Sequence, residues 1–127
     1  MMRRYINIVE NAQKSVFDWR PGGGTKTKKI GDTTIIYGVS SDLTSSDIIS
    51  LRTPAAKRGS GSARRALEAF IREADERGLQ LTLYASPLDK RTHLGKLVRF
   101  YQSFGFELTG RTINAAGEPE LVRPARS

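Results

Sequence analysis

The sequence predicts a mixed α+β domain with a mostly antiparallel sheet. Three observations carry that reading. Two β-rich runs flank a tight Gly31–Asp32 turn. One strongly amphipathic helix is joined by short connections to a strand-like run on either side. A second hairpin signal follows a second amphipathic helix. The 127 residues fit one domain, read as residues 1–127, with a core large enough to need no staples.

The first run, "RRYINIV" at 3–9, is β-rich and reads as a strand. "ENAQKSVFDWR" at 10–20 reads as a short helix or an irregular turn, stopped by "PGGG" at 21–24. "TKTKKI", Gly31–Asp32 and "TTIIYGVS" form a hairpin, with Lys26, Lys28 and Lys29 guarding an edge strand. "DIISLRT" at 47–53 is the next strand, and Pro54 ends it.

The helix after Gly61 is the clearest element. Leu67, Phe70, Ile71 and Ala74 recur at helical spacing on one face. Arg64, Glu68, Arg72, Glu73 and Arg77 mark the other, with Glu68–Arg72 and Glu73–Arg77 as i,i+4 pairs in the favoured order. Ser60 or Ser62 serves as cap, and Gly78 ends the helix. "LQLTLYAS" at 79–86 alternates as a strand should, so strand, helix and strand make one parallel crossover. Leu94, Leu97, Val98 and Tyr101 mark the second helix, stopped by Gly105. "FELTGRTI" and "EPELVRP" close the sheet around Asn114–Gly117, and the tail at 124–127 frays.

Composition narrows the chemistry. No cysteine is present, which removes disulfides, thiolate metal sites and cysteine nucleophiles together, and His93 is the only histidine. No metal site is expected. No apolar run approaches a membrane span, and the N-terminus lacks a signal-peptide core, so a cytoplasmic location is expected. Lysine and arginine number 21 against 13 acids, a net charge of +8, so an anionic partner is expected. Nucleic acid is not favoured, because the aromatics are sparse and not interleaved with the cations.

The stretch "AAKRGSGSARRALEAF" offers a place for that anion. Two cations, Lys57 and Arg58, precede a side-chain-poor turn that opens a helix. A helix start presents unpaired N–H groups and partial positive charge, and glycines let a pyrophosphate approach closely. The Gly-Lys-Ser/Thr ending of an ATP-binding loop is missing.

This turn, the element order, and "FYQSFGFE" at 100–107 together resemble the GNAT superfamily of acyl-CoA-dependent N-acetyltransferases. Arg58, Gly59, Ser60, Gly61, Ser62 and Ala63 match that family's Q/R-x-x-G-x-G/A pyrophosphate turn. The resemblance is strongest over 47–106; before Thr33 only element order fits. It implies a sheet of about six or seven strands with a V-shaped splay between the fourth and fifth, flanked by helices. It implies acetyl-CoA as cosubstrate, its diphosphate held by N–H groups from Gly59 to Arg64, with Lys57, Arg58 or Arg64 adding charge. The strand backbone at Ser50, Leu51, Arg52 and Thr53 would bond the pantetheine, and an N–H there would face the thioester oxygen.

By the same resemblance Tyr101 protonates the leaving sulfur, although its line with Leu94, Leu97 and Val98 equally fits a core residue. Asp47 is the first candidate for the base that deprotonates the amine; Glu107, Asp42 and His93 rank behind it. Leu94 stands where many members of that family have an asparagine, and "SPLDKRTHLGK" is longer than usual. The expected reaction moves an acetyl group to a primary amine by direct attack, the acceptor being a protein lysine, a protein N-terminus or a small amine. The compact size resembles stand-alone members, phage-encoded ones included. Two alternatives stand beside it: a catalytically silent GNAT-fold module that binds CoA or inhibits a protein, and a basic nucleic-acid-binding domain.

Overall fold

The computed structural model describes residues 15–86, 94–113 and 117–126. The strand expected at 3–9, the loop residues 87–93 with His93, and residues 114–116 of the closing turn lie outside the described residues. So does the first half of the segment at 10–20; its second half, from Ser15, is irregular rather than helical.

Six strands form one sheet: β1 (Lys26–Ile30), β2 (Thr33–Val39), β3 (Ser45–Arg52), β4 (Gln80–Tyr84), β5 (Glu107–Ile113) and β6 (Glu118–Arg123), in the order β1-β2-β3-β4-β6-β5. Helix α1 (Ser62–Glu76) links β3 to β4, and α2 (Leu94–Gln102) links β4 to β5. Every neighbouring pair is antiparallel except β3 and β4, which run parallel because α1 carries the chain back across the sheet. The mixed sheet and its crossover are the fold that the sequence predicted.

One face of the sheet packs on α1. Ile35, Tyr37, Ile48, Leu81, Leu83 and Leu121 are buried there against Ala66, Leu67, Phe70 and Ala74 of the helix. Phe17 and Trp19, from the irregular segment, complete this core. Their rings lie 5.0 and 4.9 Å from the Phe70 ring, with Tyr37 5.2 Å from it.

Glu73 explains how a chain without regular structure is held so firmly. The sequence placed Glu73 on the solvated face, paired with Arg77. The structure instead buries it. Its carboxylate accepts bonds from Ser15 Oγ (2.6 Å), Val16 N–H (3.0 Å) and Trp19 Nε1–H (2.8 Å), with Phe17 N–H at 3.5 Å. Burying an acid requires such donors, and the irregular segment supplies them. Arg77 donates to the Glu73 carbonyl and to Ser15 Oγ, and stands over the Trp19 ring at 5.5 Å. Beyond it Gly78 takes a φ of +65°; Gly78 N–H bonds Asp75 and Leu79 N–H bonds Ala74, closing the helix in a Schellman turn.

Candidate active site

The cleft begins where β3 and β4 part. Their parallel ladder runs from Ser45–Gln80 to Ile48–Leu83 and stops there. β3 continues to Arg52 alongside β2, while Ala85 N–H bonds the Pro119 carbonyl and keeps the end of β4 with β6. The two strands therefore diverge, and among the described residues no strand pairs with the β4-facing edge of β3 beyond Ile48. A bulge marks the point of divergence. Ile36 faces Ser50 but Tyr37 faces Ile48, so Ile49 is an extra residue that re-aims the strand. Ile48 and Leu51 consequently both turn toward the core, three positions apart.

Behind the splay lies the turn that the sequence singled out. A short 3-10 turn (Ala55–Lys57) leads to Gly59 and Gly61, with φ of +87° and +84°. Gly61 is the N-cap and contributes no side chain. The first helical bond runs from Arg65 N–H to Gly61 C=O, so the N–H groups of Ser62, Ala63 and Arg64 precede the helix ladder. Neither serine caps the helix as expected. Ser60 Oγ donates to the Lys57 carbonyl (2.9 Å), and Ser62 points inward, 4% exposed. Ser62 Oγ accepts from Asp32 N–H (3.1 Å) and from Thr33 (2.9 Å), whose hydroxyl lies 2.6 Å from that of Thr53. Three buried hydroxyls thus pin the turn to the ends of β2 and β3. Gly31 is what lets them meet: a Cβ there would lie 3.3 Å from Ser62 Oγ.

A cavity of about 360 Å³ is lined by Lys57, Arg58, Gly59, Gly61, Ala63 and Arg64. Arg58 Nε donates to the Thr53 carbonyl (3.1 Å), and the Arg64 guanidinium stands 5.4 Å over Phe100 and 5.0 Å over Phe104. Both cations are therefore anchored at the cavity wall. The neighbouring space is lined by Leu51, Thr53, Arg58, Ala63, Leu97 and Tyr101, and a third, by Ile49, Ser50, Tyr84, Ser86 and Tyr101. Shared lining residues make these three spaces neighbours, in order from the glycine turn to the splay. Of the residues assigned to cosubstrate binding, Leu51, Thr53, Arg58, Gly59, Gly61, Ser62, Ala63 and Arg64 line them; Ser60 sits within the turn and Arg52 points to solvent.

Tyr101 borders both the second and the third of these spaces. It is 7% exposed, packed edge-on against Phe100 and Phe106. Its hydroxyl makes no hydrogen bond among the described residues, yet no buried side-chain polar atom among them lacks a partner. The hydroxyl must therefore reach the cleft. Burial pushes its pKa up to about 12, so the phenol keeps its proton at neutral pH. Both readings of the sequence meet here: the ring is core and the hydroxyl is not.

Past the splay the cleft opens into a wider space of about 580 Å³, lined by Asp47, Ile49, Tyr84, Ile113, Glu118 and Glu120. Asp47 is exposed at this mouth, on the sheet face away from α1. Tyr84 and Glu120 are cross-strand partners, and Tyr84 donates to Glu120 Oε2 (2.8 Å). Thr109 donates to the other oxygen (2.8 Å), and these bonds hold the Glu120 carboxyl below its ordinary range. The sequence did not single out this pair, because only strand register brings the two residues together. Of the weaker base candidates, Asp42 bonds Ser40 and Thr44 in its own turn, and Glu107 lies exposed on β5. Among the described residues no cluster of three metal-ligating side chains occurs, and no helix is long and apolar enough to cross a membrane.

A splayed parallel pair beside a glycine-opened helix, on a six-stranded mixed sheet, defines the GNAT acetyltransferase fold, and this chain has it. The particular likenesses are to solved structures. A protein assigned to the GNAT acetyltransferase family from Bacteroides thetaiotaomicron aligns with 98% of this chain and 82% of its own, at TM-score 0.63 and 15% identity. The anti-CRISPR protein AcrVA5 aligns with 78% of this chain and 97% of its own, at TM-score 0.62 and 20% identity. An aminoglycoside 6'-N-acetyltransferase complexed with coenzyme A aligns with 71% of this chain, which spans 63% of that enzyme, at TM-score 0.54 and 18% identity. No protein-family model and no curated protein matches the sequence.

Proposed function

We propose that this protein is an acetyl-CoA-dependent N-acetyltransferase acting on a primary amine. The observation that carries the proposal is the row of adjoining spaces, with the glycine turn and helix N–H groups that precede the helix ladder at one end and an unbonded tyrosine hydroxyl at the splay. The residues fit the cosubstrate. Gly59 meets nothing within 4 Å on its Cβ side, and Lys57, Arg58, Arg64 and Arg65 concentrate positive charge around the turn. The open edge of β3 beyond Ile48 offers backbone groups to an extended pantetheine, as a strand would. The coenzyme A complex of a neighbour with this fold supports the same choice of cosubstrate.

Acetyl-CoA supplies a thioester carbonyl as electrophile and a thiolate as leaving group. In this reading Tyr101 holds a proton at its hydroxyl and gives it to the sulfur as the C–S bond breaks. Its high pKa keeps the hydroxyl protonated at neutral pH, and a phenolate formed there takes its proton back at once. Asp47, at the mouth, takes the proton that the amine sheds as its nitrogen bonds the acyl carbon. Calorimetric titration with acetyl-CoA, followed by turnover on an amine panel, tests the assignment. Binding with turnover supports it; binding without turnover leaves a silent module; absence of binding overturns it.

A further inference from the structure

We propose that Arg123 is a positioning residue for Tyr101: its guanidinium, forked on Asp75, fixes the turn that follows α2 and so sets where the tyrosine hydroxyl stands at the splay. This rests on the transferase reading, in which that hydroxyl gives its proton to the leaving sulfur.

Arg123 stands where a core residue is expected. On β6 it follows Leu121 at strand period, it faces Leu81 across the ladder, and it is 5% exposed. A buried guanidinium must be paired, and this one is. Nη1 and Nη2 donate to the two carboxylate oxygens of Asp75 (2.5 and 3.1 Å), in the last turn of α1, and Nε donates to the Phe104 carbonyl (2.8 Å). An apolar side chain of similar volume would serve stability as well, because burying a charged pair gains little net. What an apolar residue lacks is the bond to Phe104. Through it Arg123 ties β6 and α1 to the turn after α2.

That turn carries Tyr101. Phe104 N–H donates to the Tyr101 carbonyl (3.0 Å) while Phe104 C=O accepts from Arg123, so one residue is held from both sides. Phe106 N–H reaches the same Tyr101 carbonyl at 3.4 Å. Gly105 gives the clamp its room. Its φ is +95°, and a Cβ there would lie 3.4 Å from Arg123 Nε and 2.9 Å from the Arg126 guanidinium. Two observations say that Tyr101 needs such a hold. It is the only buried residue of α2, so the helix has little packing of its own to fix it. Its hydroxyl makes no hydrogen bond among the described residues, so no local bond steers it. The oxygen's place therefore follows the backbone, and a shift of about 1 Å in a reacting group can cost about 10²-fold.

The test places Arg123→Met and Arg123→Lys in protein carrying a carbon-13 label at tyrosine Cζ, with Tyr101→Phe assigning the Tyr101 NMR signal. Methionine fills the space without bonds; lysine keeps the charge but cannot fork on Asp75 and reach Phe104 together. In Arg123→Met the Tyr101 signal should shift or broaden while that of Tyr37, in the core beside Phe70, stays. At saturating acetyl-CoA, below the melting temperature of each variant, kcat should fall roughly tenfold to a hundredfold, with acetyl-CoA affinity by calorimetry unchanged. Arg123→Lys should fall between wild type and Arg123→Met, and it carries the test alone if the methionine variant does not fold. In the Tyr101→Phe background the same substitution should cost nothing further, because it acts only through the hydroxyl. A Tyr101 signal that stays put, or moves together with that of Tyr37, overturns the proposal, and so do losses that multiply in the double variant. If wild type transfers no acetyl group, or Tyr101→Phe transfers it as fast, the transferase reading of that hydroxyl falls, and the Tyr101 signal alone decides whether Arg123 holds it.

Discussion

At its N-terminal end, α1 begins with a glycine that offers no side chain, and the N–H groups of Ser62, Ala63 and Arg64 precede the first helical bond. Three turns further on, Glu73 collects donors from Ser15, Val16, Phe17 and Trp19, and the helix then closes in a complete Schellman turn. The same element is left unsatisfied at one end and over-secured at the other. A glycine cap forgoes only roughly a few tenths of a kcal/mol against a side-chain cap. The difference teaches that this helix is secured from its C-terminal half and not from its start. The aromatic core and the Glu73 anchor hold the sheet and helix together, so the fold does not need a side-chain cap at the glycine turn, and under the proposed function that open end is where the anion docks. Tyr101 belongs with the open end, since its hydroxyl too is left without a partner.

If that division is right, substitutions at one end should move ligand or turnover and those at the other should move stability. The largest expected effect is at Tyr101. Tyr101→Phe keeps the ring packed on Phe100 and Phe106 and removes only the hydroxyl. Turnover should fall by about 10²–10⁴-fold, with acetyl-CoA affinity and melting temperature nearly unchanged. Wild-type turnover in steady-state assays with chemistry rate-limiting would make Tyr101 a packing residue.

Next comes Glu73→Ala, which strands the buried donors around it. Denaturant unfolding should show a loss of about 3 kcal/mol, with acetyl-CoA still bound at unaltered affinity by calorimetry. Glu73 also sets a pH dependence. Burial alone would raise its pKa, but bonds from Ser15, Trp19, Val16 and Phe17 outweigh it and hold the carboxyl below its ordinary value. A depressed folded pKa contributes stability above the unfolded value that is lost as pH falls through the folded one. The stability gap between wild type and Glu73→Gln should therefore be flat from pH 7 to 5 and narrow below about 4.5.

Gly61→Glu sharpens the comparison from the other side. It brings a side chain and a negative charge to the turn. The stabilisation by acetyl-CoA, about 2.7 kcal/mol at a hundred times its dissociation constant, should vanish from thermal melts. A variant that folds and still responds normally would place the anion elsewhere. The smallest effect is Gly59→Ala. At a φ of +87° a Cβ is strained by about 1 kcal/mol but meets no neighbour. A modest drop in melting temperature should therefore accompany a measurable loss of acetyl-CoA affinity by calorimetry.

The sequence made some of this division legible. Local chemistry announces local structure, so the Gly31–Asp32 hairpin, the apolar face of α1, the Gly78 stop and the glycine turn could be read directly. Tyr101 could be named but not assigned, because one residue serves both core and cleft. What depends on distant register was hidden. Glu73 sits at i,i+4 from Arg77 and reads as a surface pair; nothing nearby reveals that donors from Ser15 to Trp19 fold onto it. Phe17 and Trp19 lie in a segment without periodicity, so no pattern marks them as core. Tyr84 and Glu120 meet only through the β4–β6 ladder, and Ser62 looks like a cap until Thr33 and Thr53 are seen beside it.

Those three hydroxyls carry one more consequence. Thr33 donates to Ser62, so its proton is spent, and the bond between Thr33 and Thr53 must have Thr53 as its donor. Ser62 accepts from both Thr33 and Asp32, which fills its two lone pairs. All the protons of the chain therefore point the same way, from the end of β3 toward the start of α1. The Ser62 proton is the one this network leaves over. A row of aligned O–H dipoles polarises along its length. It adds to the helix start a small positive pole drawn from no charged residue and, being buried, less screened by salt than Lys57 and Arg58 at the surface.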